Sequence, residues 1–167
     1  LRMDELVIMP IHSSKFIVIE GLDGSGQTTQ AKLLGEALLK EGQEAIITKE
    51  PTDKPPLGVL IRQVLKKEIE ITPASLQLIF CADRSEHLAG VVSSALKAGK
   101  WVISDRYFYS TIAYGQINLD FDWLVCLNQT FLRPKIAFLL KVRPEICLER
   151  IDSARSQRQF FEEKEKL

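Results

Sequence analysis

Residues 20–30 read EGLDGSGQTTQ, a glycine-rich stretch that separates two segments of different periodicity. Before it, KFIVIE (15–20) has a short apolar and β-branched centre, which predicts a buried strand. After it, TTQAKLLGEALLKEG (28–42) has apolar residues at helical spacing and reaches Gly42, a residue suited to ending a helix. Residues 20–30 are therefore predicted to hold the turn between a strand and a helix.

This turn has most of the residues of a phosphate-binding loop, Gly-x-x-x-x-Gly-Lys-[Ser/Thr]. Its glycines allow backbone torsions that a Cβ opposes, so that N–H groups can point at a phosphate near the helix N-terminus. The hydroxyl of Thr28 stands where the motif ligates Mg²⁺. We expect ATP to bind through the residues of this turn, which are Gly21, Leu22, Asp23, Gly24, Ser25, Gly26, Gln27, Thr28 and Thr29.

Position 27 departs from the motif, because Gln27 stands where the loop has lysine. That lysine lies along the β- and γ-phosphates and neutralises charge during phosphoryl transfer. Glutamine donates hydrogen bonds but brings no positive charge, and loss of one preorganised donor costs about 10²–10³ in rate. The substitution predicts an impaired or compensated kinase rather than the loss of the nucleotide site.

The rest of the chain continues the alternation of strands and helices. Strands are predicted at 44–50, 98–105 and 135–142, and helices at 57–67, 72–97 (with a bend), 107–115, 120–131 and 144–151. This order, without a hairpin signal, predicts an α/β fold with a parallel sheet and helices on both faces. Ligands of such sheets bind at the carboxyl ends of the strands.

Composition is that of an ordinary globular protein. The 167 residues fit one domain and are long enough to bury a sizeable core, and 46% are hydrophobic and 26% charged. Lys+Arg and Asp+Glu are both 22, so the charge balance indicates neither a nucleic-acid nor a membrane surface. No apolar run reaches the ~18 residues that span a membrane.

The cysteines and histidines are isolated along the chain. Cys81, Cys126 and Cys147 lie in apolar stretches without C-x-x-C spacing, which predicts buried, reduced thiols and a cytoplasmic protein. His12 and His87 stand alone, which predicts surface or capping residues rather than metal ligands.

Three further stretches carry chemistry, and they follow the predicted elements in order. KEPT (49–52) follows the second strand, FCADR (80–84) lies within a helix, and DRYFYSTIAY (105–114) follows the third strand. With the loop, this set resembles thymidylate kinase (dTMP kinase), of the P-loop nucleoside monophosphate kinase group, over residues 15–163. The resemblance implies a three-layer P-loop NTPase-like fold and transfer of the ATP γ-phosphoryl group to dTMP. It also implies a Mg²⁺ cofactor and a homodimer formed through helices around 57–98.

The resemblance implies an acceptor site for dTMP. Asp23 would accept from the 3′-hydroxyl of the deoxyribose, and Lys49 would grip the monophosphate where the family usually has an arginine with its bidentate fork. Phe80 and Arg84 are one helical turn apart and share a face. Phe80 would stack on the pyrimidine or else pack in the core, and Arg84 would donate to thymine O4. Glu50 would orient water or Mg²⁺, or pair with Lys49.

DRYFYSTIAY adds the groups nearest the transferred phosphoryl. The resemblance implies that Asp105 holds Mg²⁺ through water together with Thr28, and that Arg106 bridges the donor and acceptor phosphates. A structural ion pair between Arg106 and Asp105 is the alternative. Thr111 would hydrogen-bond the base. Tyr114 would crowd a 2′-hydroxyl and so favour deoxyribose.

The last predicted helix is followed by basic residues. Arg150, Arg155 and Arg158 lie in ERIDSARSQR (149–158), which in the family closes over ATP as a lid; a solvated basic helix face is the alternative. We hypothesise that Arg155 or Arg158 supplies the charge that Gln27 lacks, as an arginine finger does.

These expectations divide the chain into two parts. Residues 1–14 are an N-terminal extension, in which Leu1 and Arg2 precede a methionine and suggest added residues. Residues 15–167 are a single P-loop kinase domain with a lid at about 149–160. Family members usually continue past the helix that ends this chain, so a truncated C-terminal part and a natural minimal form both remain open.

Two alternatives to a dTMP kinase remain. One is a kinase for another deoxynucleoside or nucleotide, but KEPT is not the Glu-x-Trp element of deoxynucleoside kinases. The other is a catalytically impaired, nucleotide-binding pseudokinase of the same fold, which Gln27 favours. Retention of Asp105, Arg106 and Thr28 argues against it, since chemistry needs these groups more than binding does.

Overall fold

The computed structural model describes residues 13–154. Its strands are β1 (Phe16–Gly21), β2 (Ala45–Lys49), β3 (Trp101–Asp105) and β4 (Ile136–Leu140). Its α-helices are α1 (Gln27–Lys40), α2 (Leu57–Leu65), α3 (Pro73–His87), α4 (Ser93–Lys97), α5 (Phe108–Gly115), α6 (Phe121–Asn128) and α7 (Pro144–Ala154). In this part of the chain, each strand and helix predicted from the sequence is present.

The four strands form one parallel sheet in the order β2-β3-β1-β4. Val18 of β1 pairs with Ser104 of β3 on one side and Ala137 of β4 on the other, so β1 lies inside the sheet. Its burial agrees with its apolar, β-branched sequence. The carboxyl ends of β1, β2 and β3 consequently meet at one edge.

Helices pack on both faces of the sheet around β1 and β3, whose successive side chains point to opposite faces, whereas β4 is largely exposed. Phe16 and Val18 pack with Val92, Tyr107 and Phe108 in one buried cluster. Ile19, Ile103 and Ala31 of α1 form a second cluster. The three-layer α/β architecture expected from the sequence is confirmed.

The long helix predicted over 72–97 is continuous but changes its pitch. Thr72 caps it by accepting from the backbone N–H of Ser75, and Pro73 occupies the first turn. After α3, Leu88–Val92 adopt a π-helical turn that leads into α4. A π-turn is a recognised cause of an irregular helix, which accounts for the bend that the sequence suggests.

Two burial predictions are wrong. Cys126 is exposed, because α6 buries Leu124 and Asn128, and Cys126 lies midway between them on the opposite side of the helix. His87 is buried rather than a surface residue. All cysteines in the described part of the chain are free thiols. None of the helices within residues 13–154 is long and apolar enough to cross a membrane.

Candidate active site

The loop after β1 lies against α7. Gly24 and Gly26 have φ angles of 79° and 98°, in the left-handed region that favours glycine. A Cβ on Gly24 would lie only 2.5 Å from the carbonyl oxygen of Cys147, so the loop backbone approaches α7 closely. Gly26 is the N-cap of α1, so the loop ends at a helix N-terminus, which favours anions.

Gln27 is buried and folds back onto the loop. Its Nε2 donates to the carbonyl oxygen of Gly21 at 2.8 Å. Its Oε1 accepts from Nη2 of Arg106 at 3.3 Å. The neutral residue at the lysine position therefore contacts a cation from the end of β3.

Arg106 is held at the mouth of the loop from several sides. Its Nη1 donates to the Gly21 carbonyl and to the Ser110 hydroxyl, both at 2.8 Å, and its Nη2 donates to Asp23 at 2.7 Å. Burial alone would lower the pKa of Arg106, but neighbouring negative charges, Asp23 first, raise it. The guanidinium stays charged, and its ion-pair partner is Asp23, not the Asp105 of the alternative named above.

The backbone of Arg106 has an unusual conformation, and a neighbouring carboxylate hydrogen-bonds to residues that follow it. Its φ of 73° lies in the left-handed region, which is uncommon for a residue with a side chain. Glu20, at the end of β1, accepts from the backbone N–H of Tyr107 at 2.9 Å and from the Ser110 hydroxyl at 2.5 Å. Burial raises the pKa of Glu20. Sequence reasoning missed Glu20 although it directly precedes the loop.

Thr28 and Asp105 meet between the loop and β3. The Thr28 hydroxyl donates to Asp105 Oδ2 at 2.5 Å, and Lys49 Nζ lies 3.5 Å from the same oxygen. Hydroxyl and carboxylate oxygens are the donors that Mg²⁺ prefers, and Mg²⁺ is commonly held by one or two protein oxygens together with substrate phosphates. These residues fit a magnesium site, and Lys49 pairs with Asp105 rather than with Glu50.

Glu50 belongs to a buried network and also lines the cavity at the carboxyl ends of the strands. It accepts from Nε of Arg84 at 2.7 Å and lies 2.9 Å from Nδ1 of His87. Nη2 of Arg84 donates to the Thr111 hydroxyl at 2.8 Å, and Nη1 donates to Oδ1 of Asn128 at 2.6 Å. The ion pair expected between Glu50 and Lys49 is thus corrected, while a role of Glu50 toward water or Mg²⁺ stays a prediction; His87 and Asn128 are additions that the sequence did not suggest.

One cavity at the carboxyl ends of the strands collects the side chains predicted for dTMP. The cavity is lined by Asp23, Lys49, Phe80, Arg84, Arg106, Thr111 and Tyr114. Phe80 both lines the cavity and packs against the cluster around Leu76, so the expected packing is present and stacking on the pyrimidine stays a prediction. The ring of Tyr114 lies 5.8 Å from the guanidinium of Arg106.

Arg62 of α2 is a cavity residue that the sequence analysis missed. Its Nη2 donates to the Pro51 carbonyl, and Arg62 lines the cavity. Burial lowers the pKa of Arg62, and the negative charges of Asp53, Asp83 and other carboxylates offset part of this lowering. The available signal was a lone cation inside the apolar helix LGVLIRQVL (57–65). With Lys49, Arg84 and Arg106 it gives the cavity four basic side chains.

Only the first part of the expected lid lies within the described residues. Arg150 of α7 donates from Nη1 to the Gly24 carbonyl at 3.1 Å, so one arginine of this segment reaches the loop. Arg155 and Arg158 lie outside the described residues. Thr29 is exposed on the first turn of α1.

Comparisons with known proteins agree with one another. A family model described as thymidylate kinase matches residues 19–167. The chain is 45% identical over 154 residues to the "Probable thymidylate kinase" of Thermococcus kodakarensis, covering 87% of this chain and 75% of the relative. It is 46% identical over 142 residues to that of Pyrococcus horikoshii, covering 81% and 69%. It is 39% identical over 140 residues to the "Thymidylate kinase" of Plasmodium falciparum, covering 83% and 66%.

Proposed function

The chain belongs to the thymidylate kinase family, and from that premise we propose that it transfers the γ-phosphoryl group of ATP to the 5′-phosphate of dTMP, giving dTDP and ADP. The observation that carries the proposal is the single cavity lined by all seven side chains expected for dTMP. These side chains come from the loop, β2, α3, the end of β3 and α5, so chance proximity does not account for the set.

We assign the acceptor nucleoside to the part of the cavity lined by Phe80, Arg84, Thr111 and Tyr114. Phe80 offers a ring face to the pyrimidine, and Arg84 offers N–H donors to its O4. A carbonyl accepts such a donor, whereas the 4-amino group of cytosine does not. Thr111 and Tyr114 line the same cavity, and Tyr114 would crowd a 2′-hydroxyl on a nucleotide bound there. Asp23 is placed to accept from the 3′-hydroxyl.

The acceptor phosphate fits the basic side of the cavity. Lys49, Arg62 and Arg106 line it together, and Arg106 also touches the loop that would hold the ATP phosphates. An oxygen of the dTMP phosphate forms a bond to the γ-phosphorus while the bond to the β-γ bridging oxygen breaks. Positioning and charge neutralisation are the main sources of such catalysis.

Mg²⁺ is the cofactor that Thr28 and Asp105 would hold beside the ATP phosphates. When bound, it neutralises phosphate charge during transfer. The lysine and arginine side chains hold the acceptor phosphate in line with the donor. The Lys49–Asp105 ion pair links the acceptor side of the cavity to this proposed metal position.

Gln27 leaves the loop without its own charge, and Arg106 is the cation that contacts it. We therefore assign part of the lysine's role to Arg106, with Arg150 at the Gly24 carbonyl as a further positive group. The contribution of Arg155 and Arg158 remains a hypothesis, tested by changing both to alanine. An unchanged kcat in that double variant would end it.

A homodimer is part of the same proposal, through the helices at 57–98. Val59 of α2 and Leu78 of α3 are exposed apolar side chains in this region. Analytical ultracentrifugation of the full chain tests it, since a monomer at micromolar concentration would contradict a stable dimer.

The test of the proposed function is an ADP-release assay with ATP and Mg²⁺ against dTMP, dUMP, dCMP and dGMP. We expect turnover with dTMP at the highest kcat/KM. The pseudokinase alternative predicts instead that dTMP binds and that none of the acceptors is phosphorylated. A higher kcat/KM for another acceptor would keep the kinase but replace its substrate.

A further inference from the structure

Asn128 occupies a buried position at the end of α6, a helix that carries none of the motifs described above. Its relative exposure is 1%, although an amide is expensive to bury without hydrogen bonds. It lies four residues after Leu124, on the face of α6 that packs inward. A polar side chain on that face needs hydrogen-bond partners, and one of them is Arg84.

The orientation of the Asn128 amide is determined by two bonds. Nδ2 donates to the carbonyl oxygen of Leu124 at 2.8 Å. A carbonyl only accepts, so the nitrogen must face Leu124 and the oxygen must face Arg84. Oδ1 then accepts from Nη1 of Arg84 at 2.6 Å. Asn128 is thus a fixed acceptor at one edge of the guanidinium.

The guanidinium of Arg84 is held by hydrogen bonds from each of its three nitrogens. Each of its three nitrogens has a partner: Glu50 for Nε, Asn128 for Nη1 and Thr111 for Nη2. The rings of Tyr107 and Phe131 lie 5.2 and 5.3 Å from the guanidinium carbon. Because the guanidinium is planar and its N–H directions are rigid, these contacts decide which donors remain for the cavity.

We propose that Asn128 is a positioning residue that determines acceptor-base specificity by holding Nη1 of Arg84. With Nη1 held, two N–H bonds of Arg84 remain, one on Nη1 and one on Nη2, to meet the 4-substituent of the base, where thymine accepts and the amino group of cytosine cannot. This inference rests on the proposed function, because it takes Arg84 to contact a pyrimidine nucleotide. Without the Asn128 oxygen, the guanidinium turns to seek another acceptor and the two bases are separated less well.

The experiment measures dissociation constants of dTMP and dCMP by isothermal titration calorimetry. The proteins are the full chain, Asn128→Leu, Asn128→Ala and the control Gln129→Ala, which changes the exposed residue directly after α6. We expect the dTMP preference to fall about tenfold or more in both Asn128 variants, the size of a lost bond to a charged group. The control keeps the wild-type ratio, and the ADP dissociation constant is unchanged in all of them.

The ratio of the dCMP and dTMP dissociation constants distinguishes a positioning role from a loss of stability. Misfolded protein lowers the measured stoichiometry but leaves this ratio unchanged. Asn128→Asp keeps an acceptor oxygen toward Arg84 and is expected to retain a ratio within about threefold of the wild type. Should Asn128→Leu not fold, Asn128→Ala decides the question. A folded Asn128 variant with the wild-type ratio overturns the inference, as does a wild type that binds dTMP and dCMP equally. Tight, selective dTMP binding without turnover would overturn the proposed function and leave this inference intact.

Discussion

Gln27 decides how much charge the loop itself contributes. Its amide bridges the Gly21 carbonyl and Arg106, so that the position is filled by hydrogen bonds instead of by an ammonium group. Arg106 meanwhile balances its charge against Asp23. The cation at the loop is therefore Arg106, which directly follows the neighbouring strand β3.

The first prediction concerns Gln27→Lys. The ammonium would add a charge beside the β- and γ-phosphates, and we expect kcat to rise by about tenfold or more. The measurement is steady-state ADP release with dTMP. Gln129→Lys adds the same charge at an exposed site and is expected to leave kcat unchanged. A Gln27→Lys enzyme no faster than the wild type would show that Arg106 and Arg150 already supply the full charge.

The second prediction concerns Tyr114→Ala. The tyrosine ring borders the cavity beside Arg106, and its removal opens the space that a 2′-hydroxyl needs. We expect the preference for dTMP over ribothymidine 5′-phosphate, as a ratio of kcat/KM, to fall about tenfold. An unchanged ratio would place the sugar away from Tyr114.

At the scale of elements, the site depends on the contact between the phosphate loop and α7. Gly24 lies against the backbone of Cys147, whereas a Cβ on Gly26 would meet nothing within 4 Å. Both glycines have positive φ angles. The pair therefore separates backbone strain from a steric contact between two elements.

The third prediction uses this pair. Gly26→Ala introduces strain alone and is expected to lower the free energy of unfolding by about 1–2 kcal/mol. Gly24→Ala adds overpacking against α7, and we expect a loss of about 2–4 kcal/mol. Urea unfolding measures both. Equal losses would mean that α7 moves aside without cost.

The fourth prediction concerns the link that Glu20 makes between β1 and α5. Because burial raises its pKa above 4.5, the folded state binds more protons than the unfolded state just above pH 4.5. The contribution of Glu20 to the free energy of unfolding therefore falls as pH rises toward the raised pKa. Glu20→Gln removes this dependence. As pH rises, the free energy of unfolding of the variant should therefore increase relative to that of the wild type. Parallel profiles of the two proteins would contradict the raised pKa.

At the scale of the whole molecule, elements were predictable and networks were not. β1 and α1 follow from local periodicity, and the residues of the dTMP cavity from a family resemblance carried by motifs at strand ends and within α3. The partners of Arg84 could not be predicted, because Glu50 and Asn128 join it from separate elements and no local pattern records that meeting. Cys126 shows the same limit, since an apolar neighbourhood in sequence does not say which side of a helix is buried.

Phosphoryl transfer can be followed as movement of ³²P from [γ-³²P]ATP to dTMP, with Mg²⁺, by the wild type and by Arg106→Ala. The account predicts labelled dTDP with the wild type and a rate lower by about 10²–10³ in the variant, which loses the cation between the two phosphates. No labelled dTDP from a wild type that binds both nucleotides, or equal rates for the two proteins, would contradict it.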